Sequence, residues 1–344
     1  MSGRTERLKG LNAIRAFCAL FILWGHVAQR DFGQWEIVSL PLPECCAYVF
    51  FVISGFLAGY RIDETKGVLS YYRKKARRIL PLYYSYLIVS VLVYMAIGRS
   101  DQILDPRLWY YLFLLPQIPF CSAEGLLPLV HLWFIGTIVL FYMLFPFFAK
   151  LKENERVIGA AVIAAAWLLF KMALRVFVGT DSVLYHFVGV TAFDVLFAGV
   201  WAGLLMKRGN TLLEKVKGMA WLGVAAWLLF LCSGFYVKLV PAPIRVEYIA
   251  LLALVMVVTQ QANLAFPNLE NKLLDWLGAV SYEIYVTQII VIILLSLAYS
   301  KLGLELPVIV IYLVSTAVVF GVAWCFHLML RKFGTKRLIK ERHK

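Results

Sequence analysis

Ten apolar runs, each close to the length needed to cross a bilayer, recur from one end of the 344-residue chain to the other. A membrane helix needs about 20 such residues. The runs fall at about 11–28, 43–61, 79–97, 128–149, 157–178, 187–206, 219–237, 245–262, 276–298 and 307–330. They predict an all-α integral membrane protein, a bundle of about ten transmembrane helices. Composition agrees: 62% of residues are hydrophobic and 16% charged, against about 45–50% apolar in ordinary soluble domains. No stretch between the runs is long enough for a second domain, so 1–344 reads as one transmembrane domain. The segment 107–119 is apolar and aromatic but short, and its prolines Pro116 and Pro119 mark it as interfacial or re-entrant.

A net charge of +14 would point to nucleic acid in a soluble protein. Here the basic residues cluster in short connections and tails, so membrane orientation accounts for them and no nucleic-acid partner is expected. Of the 34 Lys and Arg, 25 fall on the side of the N-terminus and 6 on the other. That bias predicts both termini in the cytoplasm. The six cysteines form no CxxC or metal-ligand pattern, so no metal is expected. Cys45 or Cys46 could meet Cys121 on the outer side, a pairing the spacing alone leaves open.

The first run, LNAIRAFCALFILWGHV, carries Arg15 and His26. Eleven residues at about 100° each put them on nearly one helix face, roughly 16 Å apart along the axis. Ionisable groups inside a span usually face a cavity and a partner. The bland alternatives are an Arg15 that snorkels to the interface and a His26 that is merely interfacial. The stretch SYYRKKARRILPLYY holds Arg73, Lys74, Lys75, Arg77 and Arg78 within six residues. Running into the third span from the cytoplasmic connection, it suits a polyanion such as a nucleotide phosphate, or anionic lipid headgroups. On the opposite side, His131 opens the fourth span at the depth of His26, with Glu124 shortly before it. Ser281-Tyr282-Glu283-Ile284-Tyr285 opens the ninth span, and Glu283 there needs a partner. Asp194, Lys171 and Arg175 are further intramembrane charges. Ser54, beside Gly55, either lines a path or allows close helix packing.

The combination resembles the membrane-bound acyltransferase family three, O-acyltransferases of bacterial surface sugars. The resemblance rests on Arg15 with ten residues before His26, FFVISGFLAGYRI, YYRKKARRILP, HLWFI at 131–135 and SYEIY at 281–285. It implies a plasma or inner membrane enzyme that moves an acyl group, usually acetyl, from cytoplasmic acyl-CoA to an extracytoplasmic hydroxyl. No permanently bound cofactor is expected. The acceptor would be a glycan or lipid-linked sugar. By the resemblance, His26 is the catalytic residue, with Arg15 its signature partner. The family's Arg-x-x-Arg falls on Lys75 and Arg78, so Lys replaces the first Arg and loses its bidentate fork. Donor contacts are expected from Arg73, Lys75, Arg77 and Arg78. Gln288 stands where many relatives carry His. His26 would act as general base or as transient acyl carrier. His131, Trp133, Glu124 and Ser54 are the candidate substrate contacts. The competing reading is a transporter or flippase with a polar path through Arg15, His26, Asp194 and Glu283.

Overall fold

The computed structural model describes residues 10–29, 42–65, 67–209, 253–258 and 271–342. The described residues form helices and turns, without strands. Seven helical stretches, Val130–Phe148 and Val183–Lys207 each counted as one, are long and apolar enough to cross a membrane, and Cys45–Tyr60 is a shorter apolar helix. Of the ten expected spans, 219–237 lies outside the described residues, and of 245–262 only 253–258 is described, as helix.

Helix α1 (Leu11–Ala28) starts after Gly10, whose φ of 85° suits glycine. Helix α2 (Leu42–Tyr60) follows, then α3 (Val68–Ala96). The third span was expected at 79–97, but α3 begins eleven residues earlier. Its 29 residues reach about 44 Å, well beyond the roughly 30 Å of hydrocarbon. The basic block is therefore not a loop. It is the overhanging first turns of a helix, where charge costs little and side-chain directions are fixed.

Short helices α4 (Leu108–Leu112) and α5 (Gln117–Cys121) occupy the proline-marked segment. The Tyr83 hydroxyl donates to the Tyr111 carbonyl at 2.8 Å, which ties this connection to α3. A 3-10 turn, Val130–Leu132, leads into α6 (Trp133–Phe148). Helix α7 (Glu153–Phe177) is followed by α8 (Val183–Thr191) and α9 (Phe193–Lys207). The single span expected at 187–206 is broken at Ala192, which sits at φ 48°. Likewise α10 (Lys272–Ala279) and α11 (Ser281–Leu302) divide at Val280, and α12 (Val308–Arg342) closes the chain. Cys45, Cys46 and Cys121 are buried, and no disulfide joins them among the described residues.

Helices α2 and α9 pack backbone to backbone. A Cβ on Gly55 would lie 1.9 Å from the Leu196 carbonyl oxygen, and one on Gly203 would lie 2.2 Å from that of Phe56. Gly59 and Gly199 meet the partner helix as closely. Each helix thus presents two glycines four residues apart, the small-residue stripe that lets membrane helices approach. Gly55→Ala is expected to cost about 1–3 kcal/mol, because backbone cannot move aside. Gly189→Ala, with nothing within 4 Å of the new methyl, should be neutral or gain about 0.5–1 kcal/mol. Thermal unfolding in detergent compares the two. Equal effects would refute the packing argument.

Candidate active site

Three cavities run in series past α1. The innermost, about 130 Å³, is lined by five cations: Arg15, Arg61, Lys74, Lys75 and Arg78. No carboxylate lines it among the described residues. The middle cavity, about 100 Å³, shares Arg15, Ser54, Arg78 and Tyr142 with the innermost one. The outer cavity, about 630 Å³, holds His26, His131 and Trp133, and shares Tyr285 with the middle one. Arg15 and His26 therefore open onto different chambers of one row, as their near-common helix face anticipated.

The basic block divides by helix geometry. Lys74, Lys75 and Arg78 line the inner cavity, while Arg73 and Arg77 do not. Residues 73 and 77 share a face offset by about 100° from 74 and 78. Lys75 Nζ sits 3.8 Å from the Tyr142 ring centroid and 5.2 Å from that of Tyr71. The two rings hold its position by cation–π attraction. Among the described residues no ion pair joins Arg15, Arg61 or Arg78 to a carboxylate. Like charges gathered this closely favour an anionic ligand.

At the outer end, the His26 and His131 rings meet edge-to-face with centroids 6.3 Å apart. His131 is 3% exposed, and its Nε2 lies 3.0 Å from the Val286 carbonyl oxygen. The Tyr285 hydroxyl donates to the His131 carbonyl, and the Tyr86 ring stands edge-on to the His131 imidazole at 5.5 Å. His131 is thus clamped, while His26 is half-buried on the cavity wall. Phe120 stacks on one face of the Trp133 indole at 5.1 Å.

Glu124 is exposed and outside the cavity lining. Its carbonyl accepts from Arg107 Nη1 at 2.9 Å. Side-chain hydrogen bonds from the same guanidinium hold the Asp105 carboxyl down at about 2. This cluster braces the outer connection. Ser54 lines the inner and middle cavities while its neighbour Gly55 packs on α9. Both readings of that dipeptide apply, one to each residue.

The SYEIY residues point in different directions. Tyr282 lines the middle cavity and donates to the Ile79 carbonyl at 3.0 Å. Glu283 pairs with His327 of α12 at 2.7 Å. Asp194 pairs with Lys171 at 2.7 Å, between α9 and α7. Neither acid lines any of the three cavities, so the two carboxylates do not continue a polar path from Arg15 to His26. Sequence reasoning did not single out Tyr142, Arg61 or His327. Tyr142 and His327 carried no local signal beyond being polar groups in apolar runs, while Arg61 follows directly on the second run.

The family described as "Acyltransferase domain" matches residues 8–328. The chain belongs to that family. It is accordingly a multi-pass membrane protein of an acyltransferase class. It is 22% identical to O-acetyltransferase OatA of Staphylococcus aureus (strain NCTC 8325 / PS 47), over 96% of this chain and 58% of that protein. It is 23% identical to acyltransferase MdmB of Streptomyces mycarofaciens, over 73% of this chain and 72% of that protein. The putative peptidoglycan O-acetyltransferase YrhL of Bacillus subtilis (strain 168) is 25% identical, over 83% of this chain and 49% of that protein. The chain therefore spans little more than half the length of the OatA relatives it matches. No solved structure matches it significantly.

Proposed function

We propose that this chain transfers an acyl group, acetyl by analogy with the O-acetyltransferase relatives, from acyl-CoA to a hydroxyl on the opposite side of the membrane. The acceptor is a glycan or a lipid-linked sugar. The observation that carries this reading is the row of cavities, basic at one end and imidazole-lined at the other. Both termini and the α3 overhang lie in the cytoplasm, in accord with the charge bias. The membrane is the plasma or inner membrane.

CoA suits the row chemically. Its phosphates meet Lys74, Lys75, Arg61 and Arg78. Its long arm extends through the narrow middle cavity past Arg15 and Ser54. The thioester then arrives beside His26, a reach comparable to the roughly 16 Å between the two residues on α1. His26 accepts the proton of the acceptor hydroxyl. The oxygen attacks the thioester carbonyl, the C–S bond breaks, and CoA leaves as the thiol. His131, clamped by α11, fixes the wall against which His26 and the acceptor are held. Alignment of both substrates supplies the remaining rate.

Arg78 tests the donor end because it lines both the inner and middle cavities. Arg78→Ala is expected to weaken acetyl-CoA binding about 10–100-fold, the worth of a charge-assisted contact of about 1.5–3 kcal/mol. Arg73→Ala, outside the lining, should change it far less. Equilibrium dialysis of purified protein measures both. Equal losses would turn the basic block back into a headgroup-binding surface.

A further inference from the structure

The outer cavity differs chemically from the inner one. All of its described lining residues are uncharged, whereas the inner cavity carries five cations. Aliphatic side chains enter it from five elements: Ile22, Ala47, Val130, Val190 and Ile289. The stacked Phe120 and Trp133 rings form a further wall. Among the described lining residues the polar side-chain atoms belong to neutral or imidazole groups, chiefly His26, Gln29, His131, Tyr48 and Tyr285. At about 630 Å³, it is of the size that encloses a small molecule.

Resting on the acyl-transfer reading above, we propose that the acceptor is an uncharged ring alcohol with a hydrocarbon portion next to it. Burial of a carboxylate or phosphate here is penalised, because the described walls offer no fixed cation to pair with it. A fully hydrophilic sugar leaves the aliphatic wall facing hydroxyls it cannot bond. A neutral ring fits differently. Its reacting hydroxyl meets His26, and Gln29 both donates to and accepts from neighbouring hydroxyls. Its hydrocarbon part covers Ile22, Val130 and Ile289. Ile22 and His26 are one helical turn apart on α1, so the apolar contact and the proton acceptor share a face. The step balances: His26 takes the hydroxyl proton, the ester C–O bond forms as the thioester C–S bond breaks, and the proton departs with CoA.

The test uses the full chain in lipid nanodiscs with acetyl-CoA and three alcohols: methyl glucoside, octyl glucoside and octyl glucuronide. Acetyl-CoA binding is measured in parallel. Octyl glucoside should be acetylated with a kcat/KM at least about tenfold above either of the others, the scale on which pockets discriminate apolar groups and penalise unpaired charge. In Gln29→Lys, which places an ammonium in the cavity, the ratio of glucuronide to glucoside should rise at least about tenfold. If acetyl-CoA binds but octyl glucoside is no better than the glucuronide, including the case where neither is used, the acceptor proposal alone is overturned. If acetyl-CoA does not bind at all, the acyl-transfer reading falls and this one with it.

Discussion

His26→Ala leaves a folded protein that binds acetyl-CoA normally and transfers the acyl group about 10²–10⁴-fold more slowly. That is the range general-base catalysis supplies. The separation of binding from turnover follows from the geometry. His26 lines the outer cavity and is absent from the lining of the inner, basic one, so the donor phosphates lose nothing. Stability should change little, since the ring is half-buried against an open cavity. Single-turnover transfer and donor dialysis on the same preparation read the two quantities. Retention of transfer within about tenfold of the parent would remove His26 from the proton step. A matching loss of donor affinity would mean that the row of cavities is not arranged as described.

Lys171→Met is expected to destabilise the protein by about 3–5 kcal/mol while leaving acyl transfer per folded molecule unchanged. The Lys171 and Asp194 side chains are only 4% and 6% exposed and sit 2.7 Å apart. Removing the lysine leaves a buried carboxylate whose Oδ1 already has no hydrogen-bond partner. The cost of such an orphan is about 3–5 kcal/mol. Asp194 lies in the first turn of α9, where the helix N-terminus offsets roughly 0.3–1 kcal/mol of it. The penalty wins. Lys171→Met combined with Asp194→Leu should return most of the stability, because well-packed apolar groups replace a buried pair at little cost. Thermal unfolding of the two variants gives the comparison. Unchanged activity in the double variant would also dispose of a transport path through Asp194. Loss of activity there, with stability restored, would revive it.

The apolar runs, read alone, located most of the described membrane helices because crossing hydrocarbon requires a length of apolar residues that leaves a plain trace. They did not show that α3 starts ahead of its apolar run, since a hydropathy window ends where Arg77 and Arg78 begin, whereas helical hydrogen bonding continues through them. They also passed over the breaks at Ala192 and Val280, where backbone dihedrals change inside an apolar stretch. At the site, Arg15 and His26 were legible because two ionisable groups near one helix face stand out against an apolar run. Lys75 and Arg78 were legible as charge, but not their division from Arg73 and Arg77. That division became visible only once the block proved helical. Glu124 was drawn in by its nearness in sequence to His131. The connection instead turns it outward, with its carbonyl held by Arg107.

The sequence by itself determined the solvent this protein folds in, the helical class, and the two residues of α1 that anchor the row of cavities. These depend on local composition and on the fixed 3.6-residue period. Tertiary structure decided which charges pair and which stay open to a ligand. Lys171 meets Asp194 and Glu283 meets His327, while Arg15, Arg61 and Arg78 are gathered with no carboxylate paired to them among the described residues. It also decided that Tyr142 backs Lys75 and that His131 faces His26. Such choices depend on contacts between helices far apart in the chain. Among them is the approach of α2 to α9, set by how closely the glycine faces let two backbones come together.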